Sequence, residues 1–293
     1  MDAAQRDRVA TGQGFFAALD QSGGSTPGAL RLYGIQDGEW SGDAEMFDLV
    51  HRMRERVVTS PAFTADRVLA VILFEQTMDR MIEGLPSARY LAERKGVVPF
   101  LKVDRGLVEA TDGVQLMKPI DDLDDLLARA TSNGVLGTKM RSVVHLADPR
   151  GVDALVEQQF QVGRRIADAG LLPILEPEVD ITSPERAEAD ALLRDALLAR
   201  LDDVDSPVVL KLSLPAVDGF WTPLVEHPKV LRVLALSGGY ARDEAVQVLT
   251  RQPGVIASFS RALLEGLTAQ QTDAQFDAAL GTAVEAIYRA SLT

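Results

Sequence analysis

The sequence predicts an α/β protein, a single (β/α)8 TIM barrel spanning residues 1–293. Short apolar runs alternate with longer amphipathic segments along the whole chain, and each run is short enough to be a strand buried on both faces. Nearly every run also ends in a polar or charged residue, as expected where function gathers at the C-terminal ends of barrel strands. A doubly wound open sheet would share the local pattern, but no Pro-, Gly- or Ser-rich linker divides the chain.

The predicted strands are Phe15–Leu19, Val68–Phe74, Val97–Val103, Val135–Met140, Leu171–Leu175, Pro207–Leu212, Val230–Leu236 and Val255–Phe259. Between them, spacings of three and four place Met46, Leu49, Val50, Met53 and Val57 on one helical face. The same holds for Leu123, Leu126 and Leu127, and for Phe276, Leu280, Ala283 and Ile287. Gly96, Gly134 and Gly170 each follow a helical pattern and precede a strand, where a left-handed C-cap is wanted. Ser183-Pro184-Glu185 predicts an N-cap, a first-turn proline and a first-turn acid for a helix running to about Asp203.

Composition removes whole classes of chemistry. With no cysteine there are no disulfides, thiolate nucleophiles or Cys-ligated metals. The three histidines, His51, His145 and His227, have no metal-ligand spacing, so no metal site is expected. Thirty Lys and Arg against 43 Asp and Glu leave a net charge of −13, which opposes binding to nucleic acid or to an anionic membrane. The N-terminus has no apolar leader, and the longest apolar run, Val68 to Phe74, is far shorter than the roughly 20 residues of a membrane span. A cytoplasmic location is the expectation.

At the predicted strand ends stand Asp20, Glu75, Lys102, Lys139 with Arg141, Glu176 with Glu178, Lys211, Ser237 and Arg261. A lysine inside an apolar strand, as in Val208-Val209-Leu210-Lys211-Leu212, is costly unless it is paired or loses its proton. Lys139 and Lys211 are therefore either amine nucleophiles able to form a Schiff base or halves of structural ion pairs. In Glu176-Pro177-Glu178 an extended backbone points both carboxylates to one side, one for proton transfer and one to hold a lysine. Ser237-Gly238-Gly239 follows a strand and opens the helical segment Ala241–Arg251, so its N–H groups suit a phosphate, and Arg261 follows the last strand. No Gly-x-x-x-x-Gly-Lys-Ser/Thr loop accompanies these glycines, which excludes nucleotide hydrolysis of that type.

Seven stretches make the pattern specific. They are Ala18-Leu19-Asp20-Gln21-Ser22-Gly23-Gly24-Ser25, Phe100-Leu101-Lys102-Val103-Asp104, Gly137-Thr138-Lys139-Met140-Arg141, Pro173-Ile174-Leu175-Glu176-Pro177-Glu178, Val209-Leu210-Lys211-Leu212, Leu236-Ser237-Gly238-Gly239 and Ser258-Phe259-Ser260-Arg261-Ala262-Leu263. In this order, across nearly the whole chain, they resemble the bacterial short form of class I fructose-bisphosphate aldolase, a (β/α)8 barrel.

The resemblance implies a metal-independent, reversible cleavage of fructose 1,6-bisphosphate to dihydroxyacetone phosphate and glyceraldehyde 3-phosphate. It makes Lys211 the Schiff-base lysine and Glu176 the proton shuttle, with Glu178 and Lys139 orienting it. Asp20 would hold Lys139 and Lys211 in register and handle the hydroxyl whose deprotonation triggers cleavage. Ser237, Gly238, Gly239 and Arg261 would bind the phosphate next to the ketone. Ser22, Ser25 and Lys102 would hold the far one, with Arg141 a further electrostatic contact. The imine on Lys211 replaces any cofactor or metal, and the partners are small phosphorylated ketoses and aldehydes. Gly28 departs from the family, which commonly has a lysine there for the far phosphate; Arg31, three residues on, is the candidate substitute. The alternatives are a Schiff-base aldolase for another phosphorylated ketose, such as fructose 1-phosphate, and a non-catalytic sugar-phosphate-binding barrel. Oligomeric state is not encoded in a readable way.

Overall fold

The computed structural model describes residues 2–293. Eight parallel strands close into a barrel: β1 (Phe15–Leu19), β2 (Val68–Leu73), β3 (Val98–Lys102), β4 (Gly137–Val144), β5 (Leu172–Val179), β6 (Val208–Ser213), β7 (Val230–Leu236) and β8 (Val255–Phe259). β1 pairs with both β2 and β8, and β3 pairs with β4, so no barrel edge is left open. All eight coincide with the predicted apolar runs. The largest difference is at β4 and β5, which extend through Val144 and Val179 and so carry Arg141, Glu176 and Glu178 within the strands.

The principal helices are α1 (Ala3–Thr11), α2 (Thr26–Leu32), α3 (Gly42–Thr59), α4 (Leu123–Ser132), α5 (Pro149–Asp168), α6 (Arg186–Leu201), α7 (Arg242–Leu249) and α8 (Asp273–Ala290). The units are not uniform. The β2–β3 connection has only the short helices Glu75–Met78 and Ser87–Tyr90, the latter followed by a π turn at Leu91–Lys95, and β6–β7 has only Thr222–Val225. Two-residue strands at Met81–Ile82, Leu85–Pro86 and Val114–Gln115 are too short to show a period in sequence. Gly96, Gly134 and Gly170 adopt φ of 66°, 74° and 81°, the left-handed geometry expected of them. The N-cap of α6 is Glu185 rather than Ser183, whose hydroxyl accepts from the Glu185 N–H at 3.2 Å and donates to the His145 carbonyl at 2.6 Å, closing the turn just before the helix.

Outward strand residues pack on the helices, forming one core layer. Inward residues form a second: Phe16, Ala18, Ala70, Ile72, Val98, Phe100, Leu172, Ile174, Val209, Leu234 and Ile256 fill the N-terminal half of the lumen. Phe16 and Phe100 meet there with ring centroids 5.5 Å apart. Gly137 makes room for them, since a Cβ would lie 2.6 Å from the Phe100 ring and 2.1 Å from the Leu172 carbonyl oxygen. α1 closes this end: Val9 joins the lumen core, and Arg232 donates to the Val9 carbonyl at 3.2 Å. The chain's other end is tied down nearby, with Gly254 N–H donating to the Thr293 carbonyl at 3.0 Å.

Candidate active site

Period two along each strand carries the inward face upward from apolar to charged residues. Phe16 and Ala18 lead to Asp20, Val98 and Phe100 to Lys102, Gly137 to Lys139 and Arg141, Leu172 and Ile174 to Glu176 and Glu178, and Val209 to Lys211. Together these side chains line a cavity of about 940 Å³ at the C-terminal end of the barrel. Asp20, Ser22, Ser25, Lys102, Lys139, Arg141, Glu176, Glu178, Lys211, Ser237, Gly238, Gly239 and Arg261 all face it. Glu75 does not: it begins a short helix and pairs with Arg105 at 2.6 Å and with Arg129.

At the cavity floor four charges alternate. Asp20 lies 2.6 Å from Lys139 Nζ, Lys139 lies 2.7 Å from Glu176 Oε2, and Lys211 Nζ lies 2.8 Å from Glu176 Oε1. Each side chain is at most one-tenth exposed. Burial alone would push Asp20 and Glu176 up, but Lys139 and Lys211 outweigh it and hold both carboxyls below their ordinary range. Burial would likewise lower Lys139, yet Asp20 and Glu176 raise it above an ordinary lysine. Lys139 is thus a fixed cation, whereas Lys211 has Glu176 as its one carboxylate partner within 4.0 Å among the described residues.

Two expected pairings come out differently. Asp20 holds Lys139 directly, but Lys211 is held by Glu176 instead. Glu178 turns to the Arg141 guanidinium rather than to a lysine, although the strand register sets Arg141 beside Glu176 and Glu178 beside Val143. Asp104 is a residue that the strand-end reading passed over. Buried at the cavity wall, it lies 2.6 Å from Lys102 Nζ and accepts from the Arg141 N–H at 3.2 Å. Its signal was present in Lys102-Val103-Asp104, the same alternation that singled out Glu176 and Glu178.

The opposite wall is built for an anion. Gly238 and Gly239 have φ of 61° and 126°, and a Cβ on Gly238 would lie 2.6 Å from Ile181, so only glycine permits this turn. The Arg261 guanidinium is 3.6 Å from where a Gly239 Cβ would sit. Arg261 has no carboxylate within 4.0 Å among the described residues, unlike the cavity's other cations, which are paired with Asp20, Asp104, Glu176 or Glu178. Its positive charge is therefore available to a ligand. In the first loop, Ser22 N–H donates to Ser25 Oγ at 2.9 Å, and Gly28 faces the same cavity. Arg31 reaches the neighbourhood of Gly28 but is held by Asp37 at 2.7 Å.

The histidines stand away from this cavity, His51 on the Met81 carbonyl, His145 between Asp180 and Gln115, and His227 near Asp202. Among the described residues, no group of three or more His, Asp or Glu is placed to hold a metal ion, and no helix is long and apolar enough to cross a membrane.

Residues 3–200 match the family model described as "Fructose-bisphosphate aldolase class-I". The class 1 fructose-bisphosphate aldolase of Synechocystis sp. is 55% identical over 291 residues, covering 99% of this chain and 97% of that protein. The chain belongs to the class I fructose-bisphosphate aldolase family. The corresponding enzyme of Porphyromonas gingivalis is 53% identical over 292 residues, with both chains covered completely. Among solved structures, the Plasmodium falciparum fructose-bisphosphate aldolase, in complex with TRAP and a small-molecule inhibitor, superimposes with a TM-score of 0.77 at 21% identity, covering 99% of this chain and 96% of that one. An archaeal fructose 1,6-bisphosphate aldolase gives 0.60 at 13% identity, covering 98% of each chain. At such identities these two structures speak to the fold, which they share as a barrel.

Proposed function

We propose that residues 1–293 form one catalytic barrel domain that reversibly cleaves fructose 1,6-bisphosphate into dihydroxyacetone phosphate and glyceraldehyde 3-phosphate through an imine on Lys211. The observation that carries this reading is Glu176, whose two carboxylate oxygens contact Lys139 and Lys211 at 2.7 and 2.8 Å. A carboxylate held anionic by one lysine can take a proton from the other, leaving Lys211 as the free amine that attacks the ketone. Glu176 then returns that proton to the carbinolamine hydroxyl, which leaves as water and gives the iminium.

Cleavage follows from the iminium's demand for electrons. Asp20 accepts the proton of the hydroxyl on the far side of the breaking bond, the carbon–carbon electrons move into the iminium, and the aldehyde departs. Protonation of the resulting enamine and addition of water release dihydroxyacetone phosphate and restore Lys211. The iminium is the electron sink, so the chemistry requires no metal or other cofactor. Glu178 and Lys139 hold the cage in shape. Ser237, Gly238, Gly239 and Arg261 bind the phosphate beside the ketone, while Ser22, Ser25, Lys102 and Arg141 serve the far end. The partners are small phosphorylated sugars, and the setting is cytoplasmic.

The test is borohydride reduction with dihydroxyacetone phosphate in the presence of a chelator, followed by peptide mapping. The expected result is a stable adduct on Lys211. A folded protein that binds phosphate but forms no adduct on any lysine would leave the non-catalytic binding barrel as the reading.

A further inference from the structure

Arg54 on α3 is a buried charge outside the catalytic cage, and the field of Asp20 offsets only part of the cost of burying it. It is 1% exposed, and burial lowers its guanidinium to about 10. Its hydrogen-bond partners are neutral oxygens: Thr77 Oγ1 at 2.6 Å, the Gln21 carbonyl, and Gln21 Oε1 at 3.2 Å. A guanidinium buried against neutral partners is costly and calls for a role.

Gln21 follows Asp20 in the chain and faces the cavity. Because its Oε1 and its backbone carbonyl both accept from Arg54, its Nε2 is committed to the other side, where it donates to Ser260 Oγ at 2.6 Å. Ser260 also faces the cavity and directly precedes Arg261. With a lone pair taken by Gln21, the Ser260 hydroxyl keeps its hydrogen for another acceptor.

On the aldolase reading above, we infer that Arg54 is a positioning residue: through Gln21 it locks the ends of β1 and β8 together and orients the Ser260 hydroxyl as a donor beside Arg261. The relay runs in one direction, Arg54 donating to Gln21 and Gln21 to Ser260. Its fixed end lies outside the cavity and its free end faces the anion. Reversing the Gln21 amide would set its NH2 against Arg54 and its oxygen against Ser260, and the serine hydrogen would then be spent on Gln21.

The relay is tested in the full-length protein with Arg54→Met, Arg54→Lys, Gln21→Met and the Arg54→Met/Gln21→Met double variant. Inorganic phosphate binding is measured by titration calorimetry, kcat and KM for fructose 1,6-bisphosphate by coupled assay, and folding by circular dichroism. Arg54→Met should weaken phosphate binding and raise KM by about ten-fold, the effect of one charge-assisted hydrogen bond, with a smaller change in kcat. Arg54→Lys should recover part of the loss. The double variant should be no worse than Gln21→Met alone, since the relay is already cut. Folded Arg54→Met with unchanged phosphate binding, or multiplicative losses in the double variant, would overturn the inference. If Arg54→Met does not fold, unchanged phosphate binding in Gln21→Met does the same. Because phosphate binding is read without turnover, an inactive wild type would remove the aldolase reading while the relay was still decided by calorimetry.

Discussion

Climbing β1 from Phe16 through Ala18 to Asp20, or β5 from Leu172 through Ile174 to Glu176, the lumen turns from apolar to ionic within about 7 Å, two residues of strand. Below that level, side chains close-pack and α1 covers the end. Above it, two lysines and two carboxylates are buried around a cavity of about 940 Å³. The difference teaches how stability and function are divided. The lower half is favoured by apolar burial and supplies rigidity, while the upper half carries desolvated charges that evolution would replace if stability were the only demand.

Substitutions at the two levels should therefore separate rate from stability. The largest effect belongs to Glu176→Gln, which keeps the shape but removes the proton acceptor of Lys211; kcat should fall by about 10² to 10⁴, measured with fructose 1,6-bisphosphate, and borohydride capture should slow in parallel. A near-wild-type rate would break the division by showing that the upper charges are structural. Phe100→Ala, beneath the cavity, should cost about 3–5 kcal/mol in urea unfolding while the folded enzyme keeps its kcat. Arg261→Ala comes next. It removes the cavity's unpaired cation and should raise KM by roughly ten- to a hundred-fold, because a charged hydrogen-bond partner is lost from the phosphate.

The smallest effect concerns acid. Asp20 and Glu176 titrate below their unfolded-state values, so they contribute stability at neutral pH that is lost as pH falls through the carboxylate range, below about pH 5. Lys139 titrates above its unfolded value, so its contribution persists at neutral pH and is lost only in strong alkali. Thermal melting from pH 7 to pH 3 should accordingly fall less steeply in Lys139→Met than in wild type, since its two carboxylates lose the cation that depresses them. An equal slope in the two proteins would assign the acid sensitivity to surface groups instead.

Much of this was legible before any coordinates. The apolar runs located all eight strands, and each strand-end charge except Glu75 entered the cavity, because a strand's period of two leaves little choice about which side chains face inward. Asp104 was equally legible and was missed for want of applying the same alternation to Lys102. The truncated connections at Ser87–Lys95 and Thr222–Val225 were less so, since four- and five-residue turns are too brief to show helical periodicity.

Other features lay beyond any local pattern. Arg54 falls at helical spacing between Val50 and Val57, so its burial was open to inspection, but its partners Thr77 and Gln21, on other elements, were not. The pairing inside the cage was also closed to inspection, for Glu178 serves Arg141 and Glu176 serves both lysines although the two acids stand two residues apart.

By itself, then, the sequence determined the strand and helix order, the inward residues and the family, because these follow from periodicity and motif order along the chain. Only the tertiary structure decided which charge meets which. Asp20 on the first loop, Lys139 on β4, Glu176 on β5 and Lys211 on β6 reach contact only when the barrel closes. Electrostatic energy depends on those few ångströms and on the exclusion of water, neither of which is written in the spacing of residues along a chain.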